Sequence, residues 1–328
     1  MKKFKLLIVL LVFFYSIAVI LWLALDEIFY LYNFIIIGTS VGLGVGLWPV
    51  FSKKNKYIAR LISQFLVGGY MFFGLGCGFI YIIFGHIMPE NMQIEGFWFW
   101  LLSGMFMAGV IHYAIAKIIG PLIFNRAWCG WACWTAAVLD VLPWKYNKQK
   151  RSEKLWKVRY VYFFLTTAIV FILFFAFDYD LSDTVVRLEI GETATFPGVM
   201  SAMVQIPELW WFLGGNLLYY SIGIILAVAL KDNRAFCKYI CPVSVIMKVT
   251  SGFALLKVDK TEKDCIDCKI CEKRCPMEVK ILNYIKSDKR VSSTECILCQ
   301  SCISNCPKDV LRISFSLSDK STLRGQGK

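Results

Sequence analysis

Histidine is almost missing from this chain: His86 and His112 are the only two among 328 residues. His112 falls inside an apolar run and lies about 22 Å deeper than His86 at the helical rise per residue. A haem held by two histidines of this chain is therefore excluded. Basic residues are missing from alternate loops. Residues 26–29 and 86–96 carry no Lys or Arg, and 178–208 carries only Arg187 against Asp178, Asp180, Asp183, Glu189, Glu192 and Glu208. A cleavage site is missing as well. The apolar stretch after Met1, Lys2 and Lys3 exceeds the roughly 7 to 15 residues of a signal-peptide core, and no A-x-A follows it, which predicts an uncleaved anchor. The net charge of +13 has no compact basic domain behind it, which excludes a nucleic-acid-binding role.

What the chain has in excess is apolar surface. Apolar residues make up 58% of it, with 26 Phe, 11 Trp and a mean hydropathy of +0.59, whereas soluble domains run at about 45 to 50% apolar. Six runs reach the roughly 20 residues that a bilayer core requires: 4–25, 30–51, 58–85, 97–124, 158–177 and 209–230. Base gathers before the first run (Lys2, Lys3, Lys5), between the second and third (Lys53, Lys54, Lys56, Arg60), and between the fourth and fifth. That last set is Arg126, Lys145, Lys148, Lys150, Arg151, Lys154, Lys157 and Arg159. This positive-inside pattern predicts a multi-pass protein with both termini in the cytoplasm. Trp98, Trp100, Trp210 and Trp211 would mark its outer boundary, and Trp128, Trp131, Trp134 and Trp144 its inner one.

Beyond the sixth run one cysteine spacing occurs twice. Cys265-x2-Cys268-x2-Cys271-x3-Cys275-Pro276 is followed by Cys296-x2-Cys299-x2-Cys302-x3-Cys306-Pro307. This is the bacterial two-cluster ferredoxin run, in which the fourth cysteine serves the neighbouring cluster. It predicts two [4Fe-4S] clusters, one on Cys265, Cys268, Cys271 and Cys306, the other on Cys296, Cys299, Cys302 and Cys275. Structural zinc is built instead from spaced cysteine pairs, and disulfides suit an oxidising compartment. Residues 277–295 leave room for a short helix and turn, and Val310 to Phe315 alternate like a small strand.

A second repeat lies nearer the membrane. Asn125-Arg126-Ala127-Trp128-Cys129-x3-Cys133 recurs as Asn233-Arg234-Ala235-Phe236-Cys237-x3-Cys241, each copy after a pair of apolar runs. Such parallel repeats place functional sites at their interface. Cysteines four apart share one helix face, so Cys129, Cys133, Cys237 and Cys241 form a candidate site for a third metal or for redox-active thiols. Soft thiolates suit iron–sulfur, copper(I) and zinc alike, and Arg126 and Arg234 favour the thiolate.

With these motifs the chain resembles the NapH-type polyferredoxin membrane subunits, relatives of NosR-type and CcoG-type proteins, over about residues 97–316. Trp134 stands where that family has proline after the first C-x3-C, and Ser244 where it has glycine. Glu192 to Thr195 lacks the Ser/Thr-Gly-Ala-Thr form of a flavin attachment site. The resemblance implies an electron carrier of the bacterial cytoplasmic membrane, of quinol dehydrogenase type, with its clusters facing the cytoplasm. Such a carrier would exchange electrons between the quinone pool and partner redox proteins or subunits.

The expected architecture is therefore an α-helical polytopic membrane protein of about six spans with an internal two-fold repeat. A small α+β two-cluster ferredoxin domain follows it: 1–252 membrane domain, 253–316 ferredoxin domain, 317–328 polar tail. The rival function is a copper reductase or maturation factor for a respiratory metalloenzyme. His112 is a hydrogen-bonded structural residue or a quinone or proton group; Asp140 supports the nearby cysteines or carries protons; Lys117 snorkels to the inner surface. Cys77 and the glycines at 38, 42, 44, 46, 74 and 78 read as helix-packing positions.

Overall fold

The computed structural model describes residues 2–84, 90–104, 108–144, 155–179, 204 and 206–321. His86, the basic stretch 145–154, the acidic stretch 180–203 with Glu192 to Thr195, and the tail from 322 lie outside them. Among the described residues five helices are long and apolar enough to cross a membrane: Lys5–Leu25, Ile28–Gly46, Lys53–Gly76, Leu155–Ala176 and Pro207–Leu230. Uninterrupted apolar sequence takes this form because in lipid only the helix satisfies every backbone polar group within one segment. Pro207 opens the last of them at a position that needs no N–H donor, and Lys231 closes it in the left-handed conformation at φ 50°. Small residues let the first three pack closely. A Cβ on Gly44 would overlap Ser63, and one on Gly42 or Gly46 would press on Leu7.

Two expected runs are broken. The run 97–124 becomes separate helices, Ile94–Leu102 and Val110–Phe124, because the chain turns at Gly104 with φ 68°. The run 58–85 ends at Gly76, and Gly78, at φ 76°, redirects it into the short helix Phe79–Phe84. Gly76 rather than Gly74 makes the close approach there, against the Phe212 ring. Residues 90–93, part of the expected base-free loop 86–96, fold inward: Glu90, Asn91 and Gln93 are buried. The Glu90 N–H donates to the Leu75 carbonyl at 3.1 Å, and Gln93 is wedged against Gly215. A loop without base reads alike whether it faces solvent or returns into the bundle.

The cysteine-rich part carries a two-stranded antiparallel sheet, β1 (Leu256–Lys260) and β2 (Leu311–Phe315), with Leu256 opposite Phe315 and Lys260 opposite Leu311. Short helices Ile270–Lys273, Ile281–Lys286 and Ser301–Ser304 lie between the strands. Its internal duplication is visible in the backbone: Asp267, Lys269 and Glu278 have positive φ, and so do their counterparts Leu298, Gln300 and Asp309. Two charged residues of β1, Lys257 and Asp259, are buried. Lys257 is held by the Gly252 carbonyl at 2.9 Å, and the neighbouring buried Arg290 donates to the carbonyls of Leu255, Ser314, Ser316 and Ser318. One hydrophobic core runs through both parts, joining Leu139, Tyr219 and Phe236 to Val258, Met277 and Ile297.

Candidate functional site

The eight ferredoxin-type cysteines line two separate cavities. Cys265, Cys268, Cys271 and Cys306 line one; Cys275, Cys296, Cys299 and Cys302 line the other. The fourth cysteine of each run thus stands with the other run's first three. Each cavity is otherwise walled by apolar residues such as Leu282, Ile285 and Leu311, or Met277, Val291 and Ile297. Burial pushes the Cys275 and Cys296 thiols up to about 12, so they lose their protons on ligation. Four cysteines around an apolar hollow fit a [4Fe-4S] cluster, whose potential such walls and N–H···S bonds adjust. The Val279 and Val310 amides donate to Cys275 and Cys306, each at 3.4 Å. The two sites differ in access: Cys268 is exposed, while Cys299 and Cys302 are buried.

The other four cysteines line a shared cavity, with a local geometry other than the single helix face expected. Helices Ala127–Trp131 and Ala235–Tyr239 each end one turn after starting, so the paired cysteines do not share a continuous helix. In each copy the second cysteine turns back onto its aromatic residue. The Cys133 N–H donates to Trp128 and the Cys241 N–H to Phe236, both at 3.0 Å. Cys129, Cys133, Cys237 and Cys241 then line one cavity together with Gln93, Lys117 and Arg126. Burial pushes the Cys237 thiol up to about 11, with the neighbouring Arg234 opposing the rise. Among the described residues no three His, Cys, Asp or Glu side chains converge closely enough to hold a single metal ion.

A buried ion network braces this cavity. Asp140 accepts from Arg234 Nε at 2.7 Å and Nη2 at 2.5 Å, from Arg60 at 2.5 Å, and from Gln64 at 3.2 Å. Burial opposes its ionisation, but Arg234 and Arg60 more than offset this and hold the carboxyl well below the usual carboxylate range. Arg234 in turn donates to the Cys129 carbonyl at 2.9 Å and reaches Cys237 Sγ at 3.8 Å. Ser244 donates to the Cys241 carbonyl at 2.7 Å. Trp134 donates to Asn216 at 2.8 Å.

The first C-x3-C turn sits directly on the buried ferredoxin site. A Cβ on Gly130 would overlap the Ile297 carbonyl oxygen, and Trp131 Nε1 donates to the Leu298 carbonyl at 3.0 Å. Glu295, next to Cys296, is gripped by Arg126 at 2.9 Å, Arg159 at 2.8 Å and Lys248 at 3.0 Å. Lys238 bridges Asp232 and Glu278 at 2.6 Å each, tying the second C-x3-C to the stretch after Cys275.

Several single-residue expectations change. Lys117 does not snorkel: it is 2% exposed, with its ammonium 3.1 Å from the Trp128 ring centroid. Trp131 and Trp134 are buried at the site rather than facing lipid, and Trp100 is buried as well. His112 is paired with Glu90 at 2.8 Å, a contact that fits either of its two expected roles. Glu295, Arg159, Lys248 and Gln93 escaped sequence reasoning. The one available signal was that Glu295 is an acid placed directly before a cluster-type cysteine in a basic chain.

Fold and site together define a membrane iron–sulfur protein with a ferredoxin-type module. Comparison with known proteins agrees. Residues 264–311 match the 4Fe-4S dicluster domain family, and 98–152 and 217–260 match a 4Fe-4S binding domain family that takes in both C-x3-C motifs. An uncharacterized protein of Methanocaldococcus jannaschii is 26% identical over 194 residues, 59% of this chain and 69% of that protein. The regulatory protein NosR of Stutzerimonas stutzeri is 22% identical over 245 residues, 70% of this chain but 30% of NosR. YccM of Escherichia coli, whose name provisionally assigns it to electron transport, is 24% identical over 180 residues, 53% of this chain and 48% of YccM. The chain thus spans less than a third of NosR and about half of YccM. No solved structure matches it.

Proposed function

We propose that this chain is an electron carrier of the NapH-type polyferredoxin kind, exchanging electrons between the quinone pool and partner redox proteins. It would sit in a bacterial cytoplasmic membrane with both termini and the ferredoxin module on the cytoplasmic side. Cys265, Cys268, Cys271 and Cys306 would hold one [4Fe-4S] cluster, Cys296, Cys299, Cys302 and Cys275 the other, and the four C-x3-C cysteines a third redox site. The clusters supply one-electron chemistry when bound; the chain supplies ligation, burial and close spacing. The observation that carries this reading is the backbone contact of Gly130 with Ile297, which leaves no gap between the membrane-edge cysteines and the buried ferredoxin site. Exposed Cys268 at the far cavity leaves that end open to a soluble partner.

The alternative is a copper reductase or maturation factor, in which the C-x3-C cysteines would hand over soft metal. The test is stopped-flow absorbance of the dithionite-reduced full chain mixed with a menaquinone analogue. The carrier reading expects the cluster absorbance to return to its oxidised form at catalytic rates. Unchanged spectra, with stoichiometric copper binding lost on Cys129→Ser or Cys237→Ser, would overturn it.

A further inference from the structure

The cavity between the two C-x3-C turns contains buried polar groups that the polypeptide leaves unsatisfied. Lys117 Nζ, both amide atoms of Gln93, and Nε and Nη2 of Arg126 have no hydrogen-bond partner, and all three residues line this cavity. Lys117 is 2% exposed, Gln93 3% and Arg126 0%. A buried ammonium without a counter-ion costs several kcal/mol, and unpaired amide groups add about 1–3 kcal/mol each. Such a cluster of donors persists where an anion with several acceptor atoms completes it.

The 4Fe-4S binding domain match over both C-x3-C motifs implies that this anion is an iron–sulfur cluster on Cys129, Cys133, Cys237 and Cys241; we propose that Lys117 is the positioning residue that sets its potential. The proposal rests on the reading that these cysteines form a redox site, and it names the residue that tunes it. A dithiol or disulfide centre is neutral and leaves Lys117 unpaired. Among the described residues no three of these cysteines converge on a single ion. A cluster spreads its thiolates further apart, carries net negative charge, and exposes bridging sulfides to N–H donors. Lys117 and Arg126 supply the balancing charge, and the Gln93 amide adds a neutral donor. Trp128 covers one side of the ammonium, at 3.1 Å from its ring centroid.

The experiment is iron and acid-labile sulfide quantification with EPR redox titration on the anaerobically purified full chain. More iron is expected than the roughly eight atoms that two cubane clusters hold, falling back to that number in the Cys129→Ser/Cys237→Ser variant. Lys117→Met should keep the iron but move the midpoint of the additional EPR signal to lower potential. Lys117→Arg should restore the midpoint, and the ferredoxin signals should stay in place throughout. About eight irons in the wild type, with the four cysteines open to alkylation, would overturn the cluster; an unmoved midpoint in Lys117→Met would overturn the role of Lys117. Neither result bears on quinone exchange, which is read separately by stopped flow.

Discussion

Asp140 carries the most consequence of any single side chain outside the cysteines. It neutralises Arg60 and Arg234 in a buried setting, and Arg234 fixes both C-x3-C turns. Replacing it by Asn strands a buried guanidinium, so Asp140→Asn should cost about 3–5 kcal/mol in thermal or denaturant unfolding of the detergent-solubilised protein. Because its folded pKa is depressed, its contribution is fully present above the ordinary aspartate value of about 3.9 and is lost as pH falls from there through the folded value. The gap between wild type and variant should therefore be flat near neutrality and close in acid. Asp140 was legible in sequence only as a polar residue near the cysteines. Its ion partner Arg60 lies 80 residues away, and no local pattern announces such a pairing.

At the scale of elements, the two cysteine turns and the two ferredoxin runs act as rigid inserts held against each other. Gly130→Ala should wedge the Ala127–Trp131 helix off the Ile297 carbonyl, at a cost of about 1–3 kcal/mol, read as a lowered Tm. Glu295→Ala leaves Arg126 and Arg159 buried without their carboxylate and should cost about 3–5 kcal/mol; faster amide exchange over residues 289–306 would register the loosened docking. The cysteine spacings were legible because ligation demands fixed intervals. The breaks at Gly78 and Gly104 were not, since an apolar run reads the same whether it spans, turns or returns. The inward fold of residues 90–93 was hidden likewise, as Glu90, Asn91 and Gln93 look like loop residues until Leu75 and Gly215 are seen against them.

For the whole molecule, the apolar excess and the cysteine runs made the class legible, while the docking of module on membrane part depended on contacts between distant segments. If the basic segments face the cytoplasm, a reporter enzyme fused after Lys328 should be active only when it is of the cytoplasmic type. Activity of a secreted-type reporter there would reverse the proposed orientation. The account as a whole depends on the eight ferredoxin cysteines holding metal in the intact chain. Spin-quantified EPR of the anaerobically purified, dithionite-reduced protein tests this most directly. Two magnetically interacting [4Fe-4S] signals are expected, since the cavities lie side by side with their fourth cysteines exchanged. A colourless, EPR-silent and iron-free polypeptide would contradict the account.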